Sequence, residues 1–146
     1  IHSEVRSFTG RVLDLYCGAG TIGLSLASMA SEVVGLESSP SAIRDARANA
    51  EVAGIHNASF LEGDVLENLE QCTEGAKGDL CIVDPPRAGL HPKVIPILLR
   101  AAPARMIYVS CNPVTAVRDL EHLARGGYRL ARVQPVDLFP YTPHLE

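Results

Sequence analysis

Apolar segments of strand length alternate with segments of helical pattern along almost the whole chain, and this alternation constrains the fold most strongly. The predicted strands cover residues 11–16, 32–36, 58–61, 79–83, 104–109 and 128–136. The predicted helices cover residues 21–30, 40–53, 65–71 and 92–100, and a last helix runs from residue 113 to the glycine pair at 126–127. The pattern predicts an α/β protein with a mostly parallel sheet and helices on both faces, because each helix returns the chain to the next parallel strand.

The composition describes an ordinary globular protein. The 146 residues can enclose one core, so a single domain is expected. No apolar run reaches the roughly 20 residues of a membrane span. The four cysteines are widely spaced without a Cys-x-x-Cys pair, which argues against a zinc site or a disulfide scaffold and favours a reducing cytosol. The net charge of −4 gives no sign of the basic surface that binds a nucleic acid. If the substrate is a nucleic acid, most of the binding affinity would come from another part of the protein.

A glycine-rich turn joins the first predicted strand to the first predicted helix. Within residues 13–23, Gly18, Gly20 and Gly23 follow the spacing G-x-G-x-x-G. Such glycines allow a tight turn and let a ligand lie against bare backbone at a helix N-terminus. Glu37 follows the second strand, about 20 residues after Gly18, where a carboxylate can accept hydrogen bonds from ribose hydroxyls. These features fit NAD(P) and S-adenosylmethionine alike, and a turn that only packs helix on strand is the structural alternative.

Two further carboxylates follow predicted strands and would lie at the same sheet edge as Glu37. Asp64 follows the third strand and Asp84 the fourth, although each alone is more often a helix cap or a solvated turn residue. Beside the glycine turn, the three carboxylates predict a nucleoside pocket. Asp84 begins the sequence D-P-P-R, an element that methyltransferases acting on nucleobases often carry and nicotinamide enzymes do not need. Its prolines fix a rigid loop and leave carbonyl groups to face a substrate, which favours S-adenosylmethionine.

One cysteine, Cys111, follows the fifth predicted strand in the sequence S-C-N-P. Asn112 is a good N-cap and Pro113 a good first helical residue, so a helix is predicted to begin directly after the cysteine. The positive end of that helix favours the thiolate, which is the form that attacks electrophiles. The alternative is a small buried core residue, as most free cysteines are.

Four motifs, in order along the chain, resemble those of the RNA 5-methyluridine methyltransferases: D-L-Y-C-G-A-G-T-I-G-L, D-P-P-R-A-G-L, V-S-C-N-P and Q-P-V-D-L-F-P-Y-T-P-H-L-E. The last two are specific, since methyltransferases in general do not combine them. The resemblance covers residues 10–146. It implies a Rossmann-like class I methyltransferase fold, S-adenosylmethionine as cofactor, and RNA as partner, with a uridine of transfer RNA or large-subunit ribosomal RNA as the target.

The resemblance also implies roles for individual residues. Cys111 matches the nucleophile and Glu146 the general base. Asp84 would lie between the cofactor and the target base, and Arg87 would order the loop or contact the substrate. The other matched positions would bind the cofactor, with one carboxylate at the ribose and the next near the adenine: Tyr16, Gly18, Gly20, Thr21, Glu37 and Asp64.

The chemistry explains why a cysteine and a base are both needed. Uracil C5 is too weak a nucleophile to take up a methyl group unaided. Addition of the Cys111 thiolate to C6 would make C5 electron-rich. After methylation a base must remove the C5 proton so that the cysteine can leave, and Glu146 is the candidate. The target uridine must leave its stack to reach the thiol, which implies base flipping or a splayed loop.

Two features of the family are missing from the sequence. Family members usually carry an N-terminal RNA-binding barrel, and their last strand follows the H-x-E motif. We therefore expect residues 1–146 to be a methyltransferase catalytic domain from a longer protein, without its RNA-binding domain and its final strand. Some bacterial members hold an iron–sulfur cluster, but no metal is expected in this segment.

Two alternatives remain open at this point. Adenine N6-methyltransferases also use a D/N-P-P element, although they usually place an aromatic residue where this chain has Arg87, and they need no cysteine. An RNA-binding module with a vestigial cofactor pocket would bind without turnover, although the presence of Cys111, Glu146 and Asp84 argues against such decay.

Overall fold

The computed structural model describes residues 10–74 and 80–136, and it confirms the predicted α/β architecture. The strands are β1 (Arg11–Leu15), β2 (Glu32–Glu37), β3 (Ala58–Glu62), β4 (Leu80–Val83) and β5 (Arg105–Tyr108). The helices are α1 (Thr21–Leu26), α2 (Pro40–Val52), α3 (Val65–Cys72), α4 (Val94–Ala101) and α5 (Pro113–Arg125). Residue 79, the predicted start of the fourth strand, lies outside the described residues.

The described strands form one parallel sheet in the order β3-β2-β1-β4-β5. The chain starts in the middle of the sheet, moves outward to β3 and then crosses back to β4 and β5. Leu15 at the end of β1 pairs with both Leu36 and Val83, so the three central strands end level with one another. The strand order reverses between β1 and β4. In open α/β sheets ligands bind outside the carboxyl ends of the strands at such a reversal, so the topology places the candidate site there.

Helices cover both faces of the sheet, because successive side chains of the central strands point into opposite apolar clusters. On one face, α3, α4 and α5 pack on buried strand residues that include Leu13, Leu15, Leu36 and Val83. On the other face, α1 packs on Val12, Val33, Leu80 and Ile82, and α2 packs against Phe60 of β3. Burying one such side chain stabilises the fold by about 1.5–3 kcal/mol, so the central strands are held rigidly beneath the site.

The predicted helix ends shift by a few residues in the structure. The helix predicted at residues 21–30 ends at Leu26 and tightens into a 3-10 turn at Ala27–Met29. The helix predicted from residue 92 begins at Val94. Helices α2 and α5 begin at Pro40 and Pro113, each preceded by a residue whose side chain caps the helix, as the sequence predicted for the helix after Cys111.

The strand predicted at residues 128–136 is wrong, since these residues form no regular secondary structure. The Tyr128 hydroxyl donates to the Pro103 carbonyl at 2.7 Å. Beyond it, the apolar side chains Leu130, Val133 and Val136 are exposed. A strand needs a neighbour for its backbone hydrogen bonds, and within the described residues β5 pairs only with β4. Apolar alternation without a partner strand therefore did not produce a strand here.

Candidate active site

The predicted site residues of the described chain gather at the carboxyl edge of the sheet. Tyr16 directly follows β1, Glu37 ends β2, and Asp84 directly follows β4. The backbone N–H of Asp84 donates to the Leu15 carbonyl at 3.3 Å, so the chain segments after β1 and β4 leave the sheet side by side. Cys111 lies three residues beyond β5, which pairs with β4. Glu146 lies outside the described residues.

The turn after β1 combines three left-handed backbone positions, Tyr16 (φ 61°), Gly18 (φ 52°) and Gly20 (φ 78°). A Cβ added at Gly20 would lie 2.9 Å from the Phe60 ring, so this glycine is required for packing. A Cβ added at Gly18 would meet nothing within 4 Å, so the backbone there borders open space. Thr21 is the exposed first residue of α1. The turn therefore offers bare backbone at a helix N-terminus, and the glycines serve both packing and ligand approach.

The Glu37 carboxylate is fixed against this turn by hydrogen bonds to both of its oxygens. One oxygen accepts from the Gly18 N–H at 3.2 Å. The other accepts from the Ser39 N–H at 2.8 Å and from the Ser38 hydroxyl at 3.2 Å. The side chain is half-buried, so lone pairs of the carboxylate remain within reach of a ligand lying along Gly18. A nucleoside with a ribose diol fits such an acceptor.

Asp14 is a buried carboxylate of β1 that the sequence reasoning missed. It is 1% exposed, and its Oδ2 accepts from the Gly23 N–H at 2.8 Å, which ties β1 to α1. Its Oδ1 is buried without a hydrogen-bond partner among the described residues. The pKa of Asp14 is raised to about 7, mainly by burial; the hydrogen bond from the Gly23 N–H lowers it in part, and the negative charge of Asp84 contributes to the rise. The signal in the sequence was a carboxylate in the middle of an otherwise apolar strand.

Asp14 makes stability depend on pH with a predictable sign. Its pKa in the folded protein lies above the ordinary value of an aspartate side chain, so the folded protein holds the proton more tightly than the unfolded chain does. The stabilisation that Asp14 contributes to the fold is full below its pKa in the unfolded chain and is lost as the pH rises toward 7. Asn at position 14 keeps an acceptor for Gly23 and cannot titrate. We therefore compare the unfolding free energy of Asp14→Asn with that of the wild type. We expect the difference to shift in favour of the variant by about 2–3 kcal/mol when the pH rises from 5 to 8.

Urea unfolding of both proteins at the two pH values measures this difference. Asp45→Asn, an exposed substitution in α2, is the matched control and is expected to show no such relative change. A constant difference between Asp14→Asn and the wild type across this range would contradict the raised pKa.

Asp64 is the N-cap of α3, and its predicted role near the adenine stays a prediction. The carboxylate is exposed, and its Oδ1 accepts from the Leu66 N–H at 2.7 Å at the start of α3.

The pKa of the half-buried Tyr16 is raised to about 12, first by burial and then by the negative charges of Asp64 and Asp119. Tyr16 therefore stays a neutral hydroxyl at physiological pH.

The loop that begins at Asp84 folds over the amino end of α5. Pro85 is buried, whereas Pro86 and Arg87 are exposed. The Arg87 carbonyl accepts from the Asn112 side-chain amide at 3.1 Å and from the Thr115 hydroxyl at 3.2 Å. The loop containing Asp84 and the turn containing Cys111 are therefore joined by direct hydrogen bonds.

Cys111 lies in a tight turn that is braced on both sides. The Ser110 hydroxyl accepts from the Asn112 N–H at 3.1 Å and donates to the Asn112 carbonyl at 3.0 Å. The Asn112 Oδ1 accepts from the Val114 N–H at 3.1 Å and caps α5, as predicted. Cys111 is half-buried, while Cys17, Cys72 and Cys81 are buried, and all four thiols are free. The partly accessible thiol is thus the one at the helix N-terminus.

Other classes of site are not found in the described parts of the chain. Residues 10–74 and 80–136 contain no group of three or more His, Cys, Asp or Glu side chains that could hold a metal ion. None of the helices in the same ranges has both the length and the apolar character needed to cross a membrane.

A parallel sheet in the order β3-β2-β1-β4-β5, with a glycine turn after β1 at the reversal of strand order, is an α/β fold of the class I methyltransferase type. The family model of the tRNA (uracil-5-)-methyltransferases matches residues 3–146. The chain belongs to this family. Its members are S-adenosylmethionine-dependent methyltransferases that act on RNA.

Similar proteins agree with this placement. An uncharacterized RNA methyltransferase from Geobacter sulfurreducens is 50% identical over 152 residues, covering 100% of this chain and 31% of the relative. Another from Bacteroides thetaiotaomicron is 46% identical over 150 residues, covering 100% of this chain and 33% of the relative. The chain thus spans about a third of the length of these curated relatives.

The fold is shared with solved structures. The Pyrococcus abyssi tRNA (uracil-54, C5)-methyltransferase in complex with S-adenosyl-L-homocysteine is 37% identical, with a TM-score of 0.81, and covers 98% of this chain and 35% of that one. The Geobacter metallireducens precorrin-6y C5,15-methyltransferase is 17% identical, with a TM-score of 0.74, and covers 87% of this chain and 67% of that one. The latter shows likeness of fold alone.

Proposed function

We propose that this chain transfers a methyl group from S-adenosylmethionine to C5 of a uridine in transfer RNA or ribosomal RNA. One observation carries the proposal: the turn that contains Cys111 is hydrogen-bonded to the loop that contains Asp84, beside the glycine turn. A thiol, a carboxylate and a glycine-rich turn thus share one sheet edge. An adenine N6-methyltransferase needs no thiol at this position.

The described residues fit S-adenosylmethionine on their own chemistry. The open backbone at Gly18 can take the cofactor against the helix N-terminus, and Thr21 lies at the same end of α1. Glu37 would bind the ribose hydroxyls, because its carboxylate is already oriented beside Gly18. We also assign Tyr16, Gly20, Asp64 and Asp84 to this pocket. The Tyr16 hydroxyl and the two carboxylates are suited to the amino group and the adenine of the cofactor.

In the proposed mechanism, the Cys111 thiolate forms a bond from Sγ to C6 of uracil, and the electron pair of the C5–C6 double bond moves toward C5 and O4. S-adenosylmethionine, when bound, would supply the electrophilic methyl group that C5 takes up, with the electron pair of the broken S–CH3 bond staying on the sulfur of the departing S-adenosylhomocysteine. Glu146 then removes the C5 proton, the C5–C6 double bond re-forms and the thiolate leaves. Arg87, exposed on the loop over α5, would contact the RNA.

The net charge of −4 bears on how the RNA is held. Phosphate contacts from Lys and Arg supply most of the affinity in RNA complexes. We propose that residues 1–146 act as the methyltransferase catalytic domain of a cytoplasmic enzyme, with most RNA affinity residing outside this chain, since the relatives are about three times as long.

Nucleoside analysis tests the proposed reaction. The full-length protein is incubated with unmodified transfer and ribosomal RNA and methyl-labelled S-adenosylmethionine, and digested RNA is analysed by mass spectrometry. We expect label in 5-methyluridine. Label in N6-methyladenosine would replace the proposal with the adenine reaction. Unlabelled RNA together with normal cofactor binding would favour a binding module.

A further inference from the structure

Helix α5 carries a buried carboxylate that the mechanism above does not use. Asp119 is 1% exposed and lies on the inner face of the helix, four residues before the buried Leu123. Its Oδ2 accepts from the Leu90 N–H at 2.7 Å and from the Tyr108 hydroxyl at 2.7 Å. Its Oδ1 accepts from the Arg118 guanidinium at 2.8–2.9 Å. Each oxygen of this buried charge is therefore satisfied.

These partners belong to the two segments that carry the proposed catalytic residues. Leu90 lies in the segment between β4 and α4 that starts at Asp84, and Tyr108 ends β5, three residues before Cys111. Arg118, which is held by Asp119, donates in turn to the carbonyls of Ala88 at 3.0 Å and Leu90 at 3.3 Å. The carboxylate thus joins the loop, the strand and the helix at one point.

Gly89 shows how closely the loop approaches this point. Its φ is +77°, and an added Cβ would lie 2.5 Å from Asp119 Oδ2 and 2.6 Å from Arg118 Nη2. No side chain fits between the loop and the carboxylate. The pKa of Tyr108 is raised strongly, first by burial and then by its hydrogen bond to Asp119, so the phenol remains a donor to the carboxylate.

An apolar residue at position 119 would fill the same space but would leave the Leu90 N–H and the Tyr108 hydroxyl without partners. We propose that Asp119 is a positioning residue that sets the separation between the Cys111 thiol and the Asp84–Arg87 loop. The inference rests on the proposed function, because the separation matters only if the thiol and the loop act on one substrate. A displacement of about 1 Å in such a site can cost roughly a hundredfold in rate.

Three variants of the full-length protein test the proposal. Asp119→Asn keeps the size of the side chain but removes its charge and replaces one of its two acceptor oxygens with a donor, which must face either Arg118 or the Leu90 and Tyr108 donors. Tyr108→Phe removes one hydrogen bond and leaves the carboxylate in place. Glu121→Gln, on the same helix, is the matched control: among the described residues this exposed side chain pairs only with exposed Arg125, at 3.5 Å.

We expect Asp119→Asn to lower kcat for RNA methylation by about tenfold to a hundredfold, with cofactor Kd within about twofold of the wild type. Tyr108→Phe should lower kcat less, and Glu121→Gln should leave it unchanged. Equal kcat in Asp119→Asn and Glu121→Gln would overturn the proposal. So would a cofactor affinity that falls in parallel with kcat, since that is the signature of general loss of structure.

A second measurement separates this inference from the proposed function. Alkylation of Cys111 by iodoacetamide, followed by peptide mass spectrometry, needs no RNA turnover, and the three buried cysteines serve as internal controls. We expect Cys111 to react several-fold faster in Asp119→Asn than in the wild type, while the other thiols stay protected. An unchanged alkylation rate at Cys111 overturns the positioning role. Wild-type protein that methylates no uridine overturns the proposed function instead.

Discussion

Replacing Cys111 by alanine is expected to reduce methylation of RNA by at least about a thousandfold while leaving the affinity for S-adenosylmethionine unchanged. The thiol is half-buried in a turn braced by Ser110 and Asn112. Among the described residues its side chain forms no hydrogen bond, so we expect its removal to leave the rest of the fold intact. Without the thiol no addition to C6 can occur, and C5 of uracil stays too weak a nucleophile to take up the methyl group. The measurement is single-turnover methyl transfer with saturating cofactor.

Cys72→Ala provides the matched control. Cys72 is also a free thiol, but it is buried at the end of α3, distant in sequence from the sheet-edge turns. This variant is expected to lose some stability through a small cavity and to keep its kcat. Retention of more than about a tenth of wild-type activity in Cys111→Ala would contradict the nucleophilic role and favour the adenine reaction, which needs no cysteine.

Replacing Glu37 by alanine is expected to weaken cofactor binding by about tenfold to a hundredfold. The substitution removes the proposed ribose acceptor and also frees the Gly18 and Ser39 N–H groups that the carboxylate holds. The net loss of one hydrogen bond to a charged group, at about 1.5–3 kcal/mol, corresponds to this tenfold to hundredfold range. Calorimetric titration with S-adenosylhomocysteine measures it directly.

Glu32→Ala is the control for this effect. Glu32 begins the same strand and is exposed at the opposite edge of the sheet, where the topology places no ligand. Its replacement is expected to leave the dissociation constant unchanged. A loss of similar size in both variants would show that the glutamates act through the stability of β2 and would contradict the assignment of Glu37 to the ribose.

The positions of five strands and five helices could be predicted because each carries its own local signal. Apolar runs mark the buried parallel strands, and Pro40 and Pro113 mark helix starts. The segment 128–136 shows where that reasoning stops. Its alternating apolar residues satisfy the local pattern of a strand, but a strand also needs a neighbouring backbone, and no local pattern can show that one is available.

The edge of the sheet where the site lies was also predictable, because residues that follow parallel strands must emerge together. The positions of Glu37, Asp84 and Cys111 follow from that rule alone. Asp14 and Asp119 were missed because their importance arises from burial and from partners distant in sequence. The sequence did carry a signal for each of them. Asp14 is a carboxylate inside an apolar strand, and Asp119 is a carboxylate on the apolar face of α5 close to Leu123.

Trapping the covalent complex tests the central claim most directly. The full-length protein is incubated with S-adenosylmethionine and RNA containing 5-fluorouridine, in which fluorine cannot be removed from C5 as a proton. We expect a stable adduct whose nucleotide is attached, with an added methyl group, to Cys111 within the tryptic peptide of residues 106–118. Absence of an adduct on substrate RNA, with cofactor binding intact, or attachment through another residue, would contradict C6 addition by Cys111.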